Sequence, residues 1–96
     1  MTFEVWAQQV DVIIRSRIPW VRVERDMDEM YRWACGAGDV QAHACGDESV
    51  VLISLDGHAG AQVRKLRMRE SPPADVAHDV VNRFSTVPAT SRSDRR

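Results

Sequence analysis

Hydrophobic side chains between residues 3 and 17 recur at every third or fourth position, the period of an α-helix with one buried face. Thr2 is placed to cap this helix, and Pro19 ends it because proline disfavours helical geometry in the residue before it. The pattern therefore predicts an N-terminal helix over residues 3–17. Asp11 and Arg15, four residues apart, are expected to form an ion pair on its outer face.

From residue 20 onward the hydrophobic period falls to two, and clusters of turn-forming residues recur about every ten residues, as in an antiparallel β-meander. The clusters occupy residues 26–28, 36–38, 46–49 and 56–60. The predicted strands between and after them are 20–25, 29–35, 39–45, 50–55 and 61–69.

Ser71-Pro72-Pro73 opens a second helical pattern, with Ser71 as its cap and Pro72 as its first residue, a position whose N–H takes part in no helix hydrogen bond. Its apolar stripe comprises Val76, Ala77, Val80, Val81 and Phe84. Val87-Pro88 is expected to end this helix. The sequence thus predicts a single α+β domain over residues 1–88, followed by a disordered basic tail over residues 89–96.

The predicted architecture is an N-terminal helix, a five-stranded antiparallel β-meander and a C-terminal helix, with both helices packed on one face of the sheet. Tight turns would pair Arg25 with Glu29, Cys35 with Val40, Cys45 with Val50 and Leu55 with Ala61. One face then collects apolar or aromatic side chains, and we expect it to be the core. Its members are Val21, Val23, Tyr31, Trp33, Cys35, Val40, Ala42, Ala44, Val51, Ile53, Leu55, Ala61 and Val63.

The opposite face is predicted to be mixed, whereas an open sheet that meets only water shows cleaner alternation. One row across it would read Arg22, Arg32, His43, Leu52 and Arg64, and the next Glu24, Met30, Cys45, Val50 and Leu66. Its apolar members form a patch of the size at which binding is worth proposing. The alternative is that arginine stems fold over these side chains and keep the patch small.

Composition fits one globular domain, since the chain has 96 residues and a formal net charge of −1. All basic residues except Lys65 are arginine, a bias common in proteins from GC-rich bacterial genomes. The N-terminus lacks a cationic segment followed by an apolar run, and no apolar stretch approaches the roughly 20 residues that span a bilayer. We therefore expect a cytoplasmic protein with reduced thiols and no membrane contact.

Candidate chemistry is sparse. A zinc site would need Cys35, His43, Cys45 and His58 to converge, but the predicted register sends Cys35 to the core and leaves His58 in a distant loop. Nothing near His43 and Cys45 orients the imidazole or supplies an oxyanion hole for nucleophilic catalysis. We expect no cofactor, no metal, no small-molecule substrate and no enzyme activity.

The sequence favours a non-enzymatic protein-interaction module: an adaptor, a chaperone-like accessory, a small inhibitor or a homodimer. It would bind through the free sheet face and the basic last strand, because arginine and methionine are enriched at interfaces while lysine is depleted. The expected partner-binding residues are Arg22, Met30, Arg32, His43, Leu52, Arg64, Leu66 and Arg67. The alternative is a nucleic-acid-binding regulator that uses Arg64 to Arg69 and the Arg-rich tail.

Overall fold

The computed structural model describes residues 2–26, 29–36, 38–55 and 60–93, and side chains as far as Ser85. Along the chain, five strands lie between two helices, and the strands form one antiparallel sheet in which each strand pairs with its neighbours in the sequence. The helices and strands are α1 Phe3–Arg17, β1 Arg22–Asp26, β2 Met30–Cys35, β3 Gly38–Cys45, β4 Ser49–Leu55, β5 Ala61–Arg67 and α2 Pro73–Ser93, with a 3₁₀ turn over Met68–Glu70 before α2. The predicted α+β fold is confirmed.

Helix α1 has the predicted bounds, and its start is capped as expected. The Thr2 side-chain oxygen accepts a hydrogen bond from the Val5 N–H at 3.3 Å. At the other end the Ile18 N–H donates to the carbonyl of Ile14, which closes the last turn. The Asp11–Arg15 pair is also present, but Asp11 is buried, so the expectation that the pair lies on the outer face is wrong for its acidic member.

Helix α2 begins at Pro73, one residue later than predicted, and continues to Ser93. It passes through Pro88, so the predicted helix end at Val87-Pro88 is wrong. The segment predicted as a disordered tail begins inside this helix, and residues 94–96 lie outside the described residues. The predicted turn residues 27, 28, 37 and 56–59, which include His58, also lie outside them.

Both helices cover the same face of the sheet. On α1, Asp11 accepts a hydrogen bond from the Trp33 indole N–H at 2.9 Å. On α2, the Phe84 ring lies over Gly38, where a Cβ atom would come within 2.8 Å of the ring. The core lies between the helices and the sheet, and both contribute large apolar and aromatic side chains to it. Its fully buried members include Trp6, Trp33, Phe84, Ile14, Val10, Val40 and Val50.

The strand register keeps the predicted faces on β1, β2 and β3. Arg25 pairs with Tyr31 and not with Glu29, and Trp33 in place of Cys35 pairs with Val40. Each shift is two residues long. Because side chains alternate with a period of two, an even shift leaves every residue on its predicted face.

The predicted faces of β4 and β5 are reversed. Cys45 pairs with Ser49, so β3 and β4 are joined by a three-residue turn where the sequence predicts four residues and a Cys45–Val50 pair. Gly46 opens this turn at a φ of 75°, a conformation that glycine adopts readily. One residue fewer in the turn sends each following side chain to the other face. The predicted Leu55–Ala61 pairing is confirmed, and it carries the reversal into β5.

Candidate protein-interaction surface

The sheet face opposite the helices carries three cross-strand rows of five side chains, which we call the uncovered face. In the order β1 to β5, the first row is Arg22, Ala34, Asp39, Leu55 and Ala61; the middle row is Glu24, Arg32, Gln41, Ile53 and Val63; the third row is Asp26, Met30, His43, Val51 and Lys65. Charged side chains dominate β1 to β3, and apolar side chains dominate β4 and β5. The face is therefore divided into a polar half and an apolar half.

Arg32 organises the polar half. Its Nε atom donates to both carboxylate oxygens of Asp39, at 2.9 and 3.1 Å, and its Nη1 atom lies 3.5 Å from Glu24 Oε1. The hydrogen bonds from Arg32 to Asp39 and the charge of that carboxylate raise the pKa of Arg32 above its ordinary value. The side chains of Arg32, Asp39 and Glu24 form a fixed charged cluster, the Arg32 cluster, that spans β1, β2 and β3.

His43 lies next to this cluster on β3. Its Nε2 atom is 2.9 Å from Gln41 Oε1, and both side chains are half-buried. Met30, on the neighbouring strand, is directly opposite His43 and is also half-buried. The centre of the uncovered face is therefore lined by side chains that shield one another from water.

The apolar half forms a contiguous surface, the β4–β5 patch, which consists of Val51, Ile53, Leu55, Ala61 and Val63. Ile53 and Val63 are directly paired, as are Leu55 and Ala61, so the patch has no polar side chain between its members. Val63 is 65% exposed. Burial of an exposed valine side chain such as Val63 is favourable by about 1.5–3 kcal/mol, whereas Val51, Ile53 and Leu55 are already half-buried, so Val63 gains most from being covered.

The uncovered face holds five of the eight residues that the sequence predicts for partner binding. Arg22, Met30, Arg32 and His43 lie in its rows, and Arg67 lies beyond them on β5.

Leu52, Leu66 and Arg64 lie instead on the face beneath the helices, so their predicted face is wrong. Leu52 is only 4% exposed, and Arg64 Nη1 is 3.6 Å from Asp79 Oδ2 on α2. The physical reason is the three-residue turn after β3, which reverses β4 and β5. The residues that take their place on the uncovered face are Val51, Ile53 and Val63.

Three arginines in and just after β5 each lie near a different carboxylate. Besides the Arg64–Asp79 contact, Arg69 Nη2 is 3.4 Å from Glu48 Oε1, and Arg67 Nη1 is 4.0 Å from Glu70 Oε2. Arg64 and Arg67 lie on opposite faces of β5 because side chains alternate along a strand, and Arg69 lies beyond β5 in the 3₁₀ turn. These arginines therefore do not form a single basic surface.

Within the described residues, side chains that could act as nucleophiles or metal ligands are not grouped into one site. Both cysteines are free; Cys35 lies on the helix side and Cys45 on the uncovered side of the sheet. Among the described residues, no three histidine, cysteine or acidic side chains are grouped so as to hold a metal ion. A groove of about 480 Å³ between α1 and β1 contains Asp11, Arg15 and Arg25, and the first two already bond to each other.

No family model, curated protein or solved structure matches this chain. Within the part of the chain that the structure describes, neither helix combines the length and the apolar character needed to cross a membrane.

Proposed function

We propose that this protein is a non-enzymatic protein-interaction module that binds through the uncovered face of its sheet. The observation that supports this proposal most strongly is the β4–β5 patch, an apolar surface on two adjacent strands with Val63 65% exposed. An apolar patch that is contiguous and partly exposed is typical of a binding site. The occupant is a protein surface that is apolar opposite the patch and charged opposite the Arg32 cluster.

The composition of the face also supports a protein partner. Protein interfaces combine an apolar centre with arginine, methionine and a polar rim. Here Ile53 and Val63 adjoin Gln41 and Arg32 in the middle row, and Met30 lies in the third row. The proposal includes a reducing, cytoplasmic setting, which would keep the unpaired thiols of Cys35 and Cys45 reduced.

A nucleic-acid-binding role has weaker support. Arg64, Arg67 and Arg69 each lie near a carboxylate, which would compete with a phosphate for the guanidinium group. Single-stranded nucleic acid is usually held by aromatic side chains between the basic ones. Tyr31 and Trp33 are buried under α1, on the side away from the uncovered face.

Val63→Lys is expected to weaken binding to this surface about tenfold or more, because it places a charge at the centre of an apolar contact. Val12→Lys is a matched control: Val12 is 66% exposed, nearly the same as Val63 at 65%, but it lies on α1. Wild-type protein and both variants would be immobilised and exposed to host extract supplemented with the purified chain. Retained proteins would be quantified by mass spectrometry.

The proposal requires that the proteins retained by the wild-type bait are lost with the Val63→Lys bait and kept with the Val12→Lys bait. These proteins include a second copy of the chain. Equal retention by all three baits would contradict it. Circular dichroism establishes that both variants are folded, which is expected because each substitution is at an exposed position.

A further inference from the structure

We propose that the occupant of the uncovered face is a second copy of this chain, stacked on it face to face. The two copies are related by a two-fold axis that lies between the two sheets and runs across the strands, along the middle row. This inference rests on the proposed function and names its partner. In a two-fold dimer the same surface meets itself, so if one residue contacts a second, the second contacts the first. The axis would superpose the first row of one copy on the third row of the other.

The apolar half of the face is self-complementary under this rotation. Leu55 of one copy lies over Val51 of the other, and Ile53 and Val63 in the middle row lie over their own copies. Ala61 meets the partner copy's Lys65, whose long aliphatic stem can cover it. Both copies thus bury the β4–β5 patch against apolar atoms.

The first and third rows of the polar half are complementary under the same rotation. Arg22 lies over the partner copy's Asp26, and by symmetry Asp26 lies over the partner copy's Arg22. Asp39 lies over the imidazole of the partner copy's His43. In the middle row Arg32 and Glu24 lie over their own copies, and each Arg32 guanidinium keeps the carboxylates of Asp39 and Glu24 of its own copy beside it.

A two-fold axis parallel to the strands gives a much poorer match. It would place β1 over β5 and β2 over β4, so Arg32 would lie on the partner copy's Ile53 and Glu24 on its Val63. Charged groups would then lose water without gaining a partner, which is costly. The division of the face into a polar and an apolar half therefore selects the axis across the strands.

Pairing of two copies through their β5 edges is also unfavourable. An antiparallel pair centred on Arg64 would set that residue opposite its own copy, and like charges directly opposite are destabilising. Lys65 and Arg67 add further positive charge to the same edge. Such charges protect an edge strand from pairing with another chain.

The size of the face is that of a weak, transient interface. Five strands spaced about 4.8 Å apart and three rows along each strand cover roughly 24 by 20 Å, or about 500 Å² per copy. The total of about 1,000 Å² is at the lower limit for a specific interface. The dimer is therefore expected to dissociate on dilution, with a dissociation constant in the micromolar range.

Sedimentation equilibrium of the wild type and of two charge reversals, Arg22→Glu and Asp26→Arg, tests this arrangement. Each reversal places like charges opposite each other at two symmetric contacts and should raise the dissociation constant roughly tenfold. The double variant Arg22→Glu/Asp26→Arg restores opposite charges and should return to within about threefold of the wild type. Within one copy the two residues are about 13 Å apart along β1, so the rescue cannot arise inside the monomer.

Arg69→Glu serves as a charge-matched control, because Arg69 is exposed and lies outside the rows of the uncovered face. Its dissociation constant should equal that of the wild type. A wild type that stays monomeric at every concentration, or a double variant no tighter than the single ones, would overturn the inference. With the axis parallel to the strands, Asp26 would face the partner copy's Lys65 and the double variant would not recover.

Failure of this inference is distinguishable from failure of the proposed function. A monomeric wild type whose capture of host proteins is lost with Val63→Lys but kept with Val12→Lys would remove the dimer and keep the interaction surface. A monomeric wild type whose capture is the same with all three baits would remove both.

Discussion

Asp11→Ala is expected to lower the free energy of unfolding by about 2–3 kcal/mol, because it leaves the indole N–H of Trp33 buried without an acceptor. Asp11 is 4% exposed, and its Oδ1 atom accepts from Trp33 at 2.9 Å. Its Oδ2 atom lies 2.6 Å from Arg15 Nη2. The carboxylate thus joins α1 to β2 at the centre of the helix-covered face. Urea denaturation followed by tryptophan fluorescence measures the change.

Asp11→Asn is the matched variant for this prediction. Its amide oxygen can still accept from Trp33, and only the ion pair with Arg15 is lost. Because the Arg15 side chain is 58% exposed, water screens that pair, and we expect its loss to cost less than the loss of the bond to Trp33. If the alanine and asparagine variants lost equal stability, the bond to Trp33 would not be the main contribution of Asp11.

Trp6→Ala is expected to lower the free energy of unfolding by about 3–5 kcal/mol, more than Asp11→Ala does. Trp6 is fully buried, its ring stacks on Phe3 at a centroid distance of 6.4 Å, and its indole N–H donates to the Ser71 carbonyl at 2.9 Å. This side chain connects α1 to the segment that leads into α2. A domain of this size has roughly 5–15 kcal/mol of stability in all, so the variant should be close to unfolding.

Trp6→Phe separates the two contributions. Phenylalanine keeps an aromatic ring in the core but cannot donate to Ser71, so the expected loss is about 1–2 kcal/mol. Hydrogen exchange at the start of α2 should accelerate in both variants, and more in Trp6→Ala. A phenylalanine variant as unstable as the alanine variant would mean that the bond to Ser71 dominates over packing.

Most of the architecture could be predicted from local signals. The three- to four-residue period of α1, with Thr2 before it and Pro19 after it, sets both helix ends. The spacing of the turn clusters sets the number and order of the strands. These signals depend on neighbours in the chain, and for that reason they can be recognised without knowledge of the packed structure.

The faces of β4 could not be predicted in the same way. Val50, Val51, Leu52 and Ile53 are all apolar, so either alternate set would make an acceptable core. Only the length of the turn at Gly46 distinguishes the two, and lengths of three and four residues are both common in hairpins. The candidate site inherits this ambiguity: its β1–β3 members are on the predicted face, and its β4–β5 members are not.

The burial of Asp11 can be inferred from the helical spacing of its neighbours in the sequence. Residues 7, 11, 14 and 18 are spaced so as to lie on one face of a helix, and Ala7, Ile14 and Ile18 are all buried. A carboxylate within such a stripe requires a polar partner inside the protein. Tryptophan, with one indole N–H, is a suitable partner, but its identity depends on strand register and could not be known beforehand.

The most direct test of the face-to-face dimer is a dilution series of the wild type followed by NMR of its amide and methyl groups. If a second copy covers the uncovered face, signals of Val51, Ile53 and Val63 shift together as the concentration falls through the micromolar range. Signals of Val12, on α1, stay constant. Spectra that do not change with concentration, or shifts confined to α1, would contradict the face-to-face dimer.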